Sequence, residues 1–244
     1  MALNLGGGSL TSNYSSLYLG NAQSMLSKSL MRLSSGQRIN RPSDDPGGLA
    51  VSMKLQNAIT VTESTKRNVD NALSYTDTQD SALESVADIL DRMSTLRVSY
   101  GSGVATSSDK AAYASEFKEL QKQLDAFKSE TFNSLSLFSS SSVSKQVVIS
   151  TRGDSGPTIS ISSLNLSGAL SVSSTVNLAN ATGAVTISGI SIGNITSAIN
   201  EVASPRATSG ATSSRLQFSS DFLDTSKTNL EAANSRIMDV DIAD

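Results

Sequence analysis

The 244-residue chain has no cysteine, no histidine and no tryptophan, and only four prolines. Without cysteine there can be no disulfide and no thiolate nucleophile. With histidine missing too, a Ser-His-Asp triad, a zincin helix and most zinc sites are excluded by inventory. Stability therefore owes nothing to cross-links. Aromatic residues are 5% of a sequence that is 38% hydrophobic, too few large rings to thicken a compact core. That composition suits long helices touching along narrow Leu, Ile, Val, Met and Ala seams. Nineteen Lys and Arg against 22 Asp and Glu leave a net charge of −3. The cations are scattered, which argues against nucleic-acid and anionic-membrane partners. The opening MALNLGGGSL has neither the positive head nor the apolar stretch of a signal peptide, and no run approaches a membrane span. By its termini alone the chain reads as cytosolic.

What is present is helical periodicity. Met1 to about Tyr18 is Gly- and Ser-rich and reads as a poor helix former, after which Ala22, Met25, Leu26, Leu30 and Leu33 recur at three and four. Gly36 is placed to cap that helix, and Arg38 to Ser43 reads as a loop because Pro42 biases Arg41 away from the helical region. Ser43-Asp44-Asp45 offers N-cap side chains ahead of Pro46. A very long helix follows, to about Tyr100, with a seam through Leu55, Ile59, Thr62, Lys66, Val69, Ala72, Thr76, Gln79, Leu83, Val86, Leu90, Met93, Arg97 and Tyr100. At ~1.5 Å per residue this is a rod of roughly 75–80 Å, too long for one globular core. Polar entries at Lys66, Thr76 and Gln79 point to a multi-helix bundle rather than a simple paired coil.

A second helix opens at Ser107-Ser108-Asp109, carries Tyr113, Phe117, Leu120, Leu124 and Phe127, and should run antiparallel to the rod's end before stopping near Thr131-Phe132-Asn133. Residues 139–193 are Ser-rich. Val147 to Ser150 and Thr158 to Ile161 flank the turn chemistry of Arg152 to Pro157 and predict a β-hairpin. Short strands or loops follow, among them Val185 to Ser188, with a disordered Ser-rich insert as the alternative. Helix returns at Ile195 to Val202, Pro205 is expected to interrupt it, and Leu216, Leu223, Leu230 and Ile237 then lie seven apart. This last seam needs a partner, and the Leu55–Tyr100 rod is the obvious one. The fold class is thus mainly α, an elongated multi-helix bundle with a small Ser-rich β-hairpin region in the middle. The two ends of the chain form the bundle, and the middle projects from it.

Specific words sharpen this plan. Leu33-Ser34-Ser35-Gly36-Gln37-Arg38-Ile39-Asn40, then Asp44-Asp45 and Gly48-Leu49-Ala50-Val51-Ser52, resembles the L-S-S-G-x-R-I-N-x-x-x-D-D-x-x-G-L-A-x-S signature of bacterial flagellins. Thr131-Phe132-Asn133 resembles the family's T-x-F-N-G with one residue missing and Ser134 replacing Gly. Arg206-Ala207, Ser214-Arg215-Leu216 and Ser235 to Asp241 fit its carboxy-terminal helix. The resemblance implies a secreted structural subunit of the flagellar filament, exported by the flagellar type III apparatus, with no cofactor. Its implied partners are other flagellin subunits, an export chaperone, a cap protein and a Toll-like innate immune receptor. It divides the chain into an amino-terminal D0-like segment with its junction loop (1–42), two halves of a D1 bundle (43–138 and 194–244) and a short variable region (139–193). The opening departs from the family's usual N-x-N type. Flagellins also continue past the position of Asp244 with a further helix, so a trimmed form that stays monomeric is expected. A hook–filament junction protein of the same bundle plan, or a helical adhesin or scaffold, remains the alternative.

The same resemblance marks Arg92, Leu96 and Glu116 as receptor-contact candidates, through Leu90-Asp91-Arg92-Met93-Ser94-Thr95-Leu96-Arg97. Asp91 and Thr95 depart from residues usual in strong agonists, and solvation of Arg92 with burial of Leu96 is the plainer reading. Arg38, Asn40, Asp44 and Asp45 are candidates for bracing the D0–D1 junction. The paired carboxylates have no third ligand in view, so neither metal binding nor catalysis is assigned. Leu83, Val86, Leu90, Met93, Leu216, Leu223, Leu230 and Ile237 are the candidate bundle seam. Ser and Thr within 139–193 are candidates for O-linked sugars, or simply solvate an exposed hairpin.

Overall fold

The protein's structure, a computed structural model, describes residues 7–139, 144–151, 156–173, 176–179 and 186–241. Four long helices dominate; the first three are α1 (Gly7–Ser35), α2 (Pro46–Tyr100) and α3 (Ser107–Phe127). The pairs β1 (Thr131–Phe132) with β2 (Leu135–Ser136), and β3 (Ser144–Val148) with β4 (Thr158–Ser162), follow. Next come a short α4 (Leu166–Ala169), the pair β5 (Ser171–Ser173) and β6 (Val176–Asn177), a 3-10 turn at Ile187–Gly189, and α5 (Ile192–Met238). All three strand pairs are antiparallel. The chain divides into two compact units, Met1–Thr62 with Thr225–Asp244, and Glu63–Asp224.

The local signals account for most boundaries. Gly36 takes φ +70° and returns its N–H to the Arg32 carbonyl at 2.8 Å, closing α1 in the left-handed conformation glycine tolerates best. Proline opens α2, where its missing N–H costs no helical bond. Thr106 caps α3 with a reciprocal box: its hydroxyl accepts from the Asp109 N–H, and the Asp109 carboxylate accepts from the Thr106 N–H. Lys110 lies over the Tyr100 ring and Glu116 meets Arg92, which fixes α3 antiparallel to the end of α2.

Several expectations are corrected. Helix α1 starts at Gly7, fifteen residues before the apolar spacing opens at Ala22; two of its glycines fall in the first turn and only Gly20 costs about 1 kcal/mol in the interior. Helix α3 stops at Phe127, and Thr131-Phe132 is strand: Asn133 and Ser134, at φ 48° and 64°, make the two-residue left-handed turn that closes a hairpin. Pro205 does not interrupt α5. The carbonyl left without its N–H partner is that of Glu201, which is exposed and can be solvated. Of the two options for the stretch after the hairpin, strand or loop, Ile187–Gly189 is a 3-10 turn; Val185 and the turn residues 152–155 lie outside the described residues.

The larger difference concerns the middle of the chain. Instead of projecting, it closes the core of Glu63–Asp224. Leu137, Phe138, Ile159, Ile161, Leu166, Leu170 and Leu178 are buried in the same cluster as Leu83, Val86, Leu90 and Met93 of α2. Buried Gln79 explains how: its amide donates to the carbonyl of Leu137 at 2.8 Å, tying helix to hairpin. Tyr75 donates to the Ser136 carbonyl at 2.9 Å and stacks edge-on against Phe132. The polar seam positions are thus satisfied sites. Thr76, another of them, donates its hydroxyl to the Ala72 carbonyl at 2.9 Å. Helix α2 also buries a second stripe beside the expected one, Tyr75, Ala82, Ile89 and Leu96, so it packs on more than one neighbour.

Candidate functional site

Within Glu63–Asp224, α2 and α5 meet antiparallel through rungs whose numbers rise on one helix as they fall on the other. Lys66 bonds Asp70 at 3.1 Å and reaches Asp224 at 3.8 Å. Ser220 donates to Asp70 at 2.8 Å, Ser213 to Asp77 at 3.2 Å, and Arg206 forks onto Asp80 at 3.1 and 3.3 Å. The Asp70 bond raises the Lys66 ammonium above its ordinary pKa, and Asp80 does the same for the Arg206 guanidinium. The apolar seam between the rungs continues past Pro205: Ile195, Val202, Ser209, Leu216 and Leu223 are all buried and seven apart. The earlier members of that heptad are legible only once Ser209 is accepted as a seam residue. Small residues there allow close approach, and Ser209 lies 3.5 Å from the Thr76 carbonyl.

The unit Met1–Thr62 with Thr225–Asp244 is built differently. Leu230 and Ile237 are half-buried, and Ser52 of α2 donates to Asn234 of α5 at 2.7 Å. The junction after α1 is pinned by backbone: Arg38 N–H to the Met238 carbonyl at 2.6 Å, and Val240 N–H to the Gly36 carbonyl at 3.1 Å. Asn40 donates to the Met31 carbonyl and the Ser35 hydroxyl. Asp45 accepts from the Gly48 N–H, and a Cβ on Gly48 would crowd the Asp45 carboxylate and the tip of Ile39, so a larger residue there would have to displace the carboxylate that caps α2. The cation that meets Asp44 is Lys28, at 2.7 Å, and not Arg38, whose role falls to its main chain. The Lys28 hydrogen bond, joined by the Arg41 N–H, holds the Asp44 carboxyl below its usual pKa.

Along α1, Tyr14, Leu17, Tyr18, Met25, Leu26, Leu30 and Leu33 remain exposed, Met25 by 72%. Arg92 and Glu116 are bonded to one another at 2.6 Å with both side chains about half accessible. Leu96, by contrast, is 2% exposed, so its side chain belongs to the core and is not available to a partner. Among the described residues no group of His, Cys, Asp or Glu converges as a metal site, and no helix is long and apolar enough to cross a membrane.

The family model for the bacterial flagellin N-terminal helical region matches residues 10–142, and that for the C-terminal helical region matches residues 192–244. The chain belongs to the bacterial flagellins. A flagellin of Halalkalibacterium halodurans is 31% identical over 217 residues, 88% of this chain and 78% of the relative. The flagellar filament 30.7 kDa core protein of Treponema maltophilum is 28% identical, covering 96% and 86%. Among solved structures, Bacillus cereus flagellin shares the fold with a TM-score of 0.52 at 24% identity, over 69% of this chain and 94% of that one. A Vibrio parahaemolyticus chain assigned as a flagellar hook-associated protein shares it with a TM-score of 0.66 at 13% identity, over 80% and 100%, which speaks to fold alone. This flagellin is accordingly a structural subunit of the flagellar filament, which polymerises with its own kind for motility.

Proposed function

We propose that α1 is the polymerising element of this flagellin, and that residues 1–42, 43–138, 139–193 and 194–244 divide the labour as inner segment, bundle half, variable region and second bundle half. The observation that carries this is the uncovered stripe of Met25, Leu26, Leu30 and Leu33, apolar side chains that a lone subunit leaves in water. At about 1.5–3 kcal/mol for each such side chain fully buried, the stripe supplies association energy only when other helices cover it. The junction of Arg38, Asn40, Asp44 and Asp45 then sets where the inner segment ends. Export through the flagellar type III apparatus, with a chaperone before assembly and a cap protein at the growing tip, belongs to the same reading, as does a location in the extracellular filament. The role is structural, and no reaction is assigned to it.

The test is replacement of the resident gene in the source bacterium by a Leu26→Asp/Leu30→Asp form. The expected result is subunit released to the medium without filament; normal filaments from that variant would remove the proposal. Recognition by a Toll-like innate immune receptor is the second reading. It rests on Arg92 and Glu116, which share one exposed face, and not on the buried Leu96. A reporter assay in receptor-bearing cells comparing the chain with Arg92→Ala decides it, and equal or absent signals would discard it.

A further inference from the structure

Every acidic residue of the chain lies at or after Asp44. The residues before it carry Lys28, Arg32, Arg38 and Arg41 and no carboxylate, so a protein of net charge −3 begins with a positive segment. Three of those four cations line one cavity. It measures about 300 Å³ and lies between a face of α1, with Ser27, Lys28 and Arg32, and the junction loop, with Arg41, Ser43 and Asp44. Both walls belong to the unit Met1–Thr62 with Thr225–Asp244. Lys28 and Arg32 are four apart and stand one above the other on the helix, a spacing at which like charges repel.

The charges inside the cavity do not balance. Asp44 is its single carboxylate, and Lys28 meets it at 2.7 Å. Arg32 and Arg41 are left over. The Nε of Arg32 is buried and has no hydrogen-bond partner. Arg41 is held by its main chain, its N–H donating to the Asp44 carboxylate and its carbonyl accepting from the Asp44 N–H. Its guanidinium has no ion pair among the described residues. A buried N–H without an acceptor is disfavoured by its lost hydration and calls for an explanation. Arginine offers five donors in a planar fork that matches phosphate geometry, and serine hydroxyls such as Ser27 and Ser43 add neutral ones. At ~30 Å³ per water in the liquid, the cavity has room for about ten waters. A small oxyanion fits there with part of its hydration shell.

We propose that this cavity binds a tetrahedral oxyanion of the phosphate class, held by Arg32 and Arg41 with Lys28, and that the ion clamps α1 to the junction loop. Nothing in this depends on what α1 does in a filament. Inorganic phosphate is titrated into the purified chain, with sodium chloride holding ionic strength constant so that general screening does not change. Calorimetry is expected to show saturable one-to-one binding, with amide exchange in residues 24–44 slowing over the same range. Sulfate should replace phosphate, whereas acetate, planar and singly charged, should not. Arg32→Gln and Arg41→Gln should each weaken binding about tenfold or more. Arg67→Gln removes the same charge from an exposed position of α2 and should leave the affinity unchanged. Asp44→Asn, which takes out the competing carboxylate and releases Lys28, should tighten binding about threefold. The site is overturned by a lack of saturable binding, by undiminished binding in both arginine variants, by an equal loss in Arg67→Gln, or by weaker binding to folded Asp44→Asn protein. Binding that leaves amide exchange in residues 24–44 unchanged would overturn the clamp.

Discussion

The two units of this flagellin put apolar residues to opposite uses. In Glu63–Asp224, Leu83, Val86, Leu90 and Met93 are fully enclosed and joined by the strands of the middle region in one core. In Met1–Thr62 with Thr225–Asp244, Ile39 and Ile59 are the only large aliphatics enclosed among the described residues, and the α1 stripe faces solvent. Similar helical periodicity is enclosed by folding in the first and left uncovered in the second. The spacing of apolar residues says that a helix has a sticky face; it does not say whether the covering surface is in the same molecule.

The contrast can be broken by substitution. Leu90→Ala should cost about 2–5 kcal/mol in denaturant unfolding, since the methyls it removes have no exposure to lose. Next in size, Thr106→Ala deletes the capping box of α3 and should cost about 1 kcal/mol by the same measurement. Asp80→Asn, which leaves a partly exposed Arg206 only the 3.8 Å contact with Glu84, should cost about 0.2–1 kcal/mol. Leu30→Ala in α1 should stay within about 0.5 kcal/mol, and its effect should appear in filament yield instead. A Leu30→Ala subunit that unfolds as easily as Leu90→Ala would erase the distinction between the units. The smallest change sharpens the junction. Asp44, held below its ordinary pKa of about 3.9 by Lys28, stabilises the fold above that pH, and the contribution is lost as pH falls through the lower folded value. Asp44→Asn should flatten the acid limb of the stability profile and leave the limb near neutrality parallel to that of the parent.

Much of this was legible in residue spacing. The α2 seam, the Gly36 cap, the proline start of α2 and the β3–β4 hairpin are all local signals, and local signals are what a sequence displays. The Leu216–Ile237 heptad was readable, but its extension back to Ile195 was masked by Pro205 and Ser209, which look like a break and are a solvated turn and a close-approach position. Burial of the middle region was not legible, because Ser-rich strands advertise solvent. Only the long-range bonds from Gln79 and Tyr75 show which of their faces is turned inward. The junction was half legible. Asp44 stood out as a bracing carboxylate, but its partner lay sixteen positions back on another helix, beyond the reach of any pattern in the loop.

The rungs that hold α2 to α5 have one further consequence. Ser52 and Asn234 are 182 positions apart, Asp70 and Ser220 are 150 apart, and Asp80 and Arg206 are 126 apart. Such distant closures are slow to form and give the early part of the chain little to settle on until the last helix arrives. Nascent polypeptide lacking α5 should therefore remain pliant and threadable, and the timing of its collapse is written into the order of its segments.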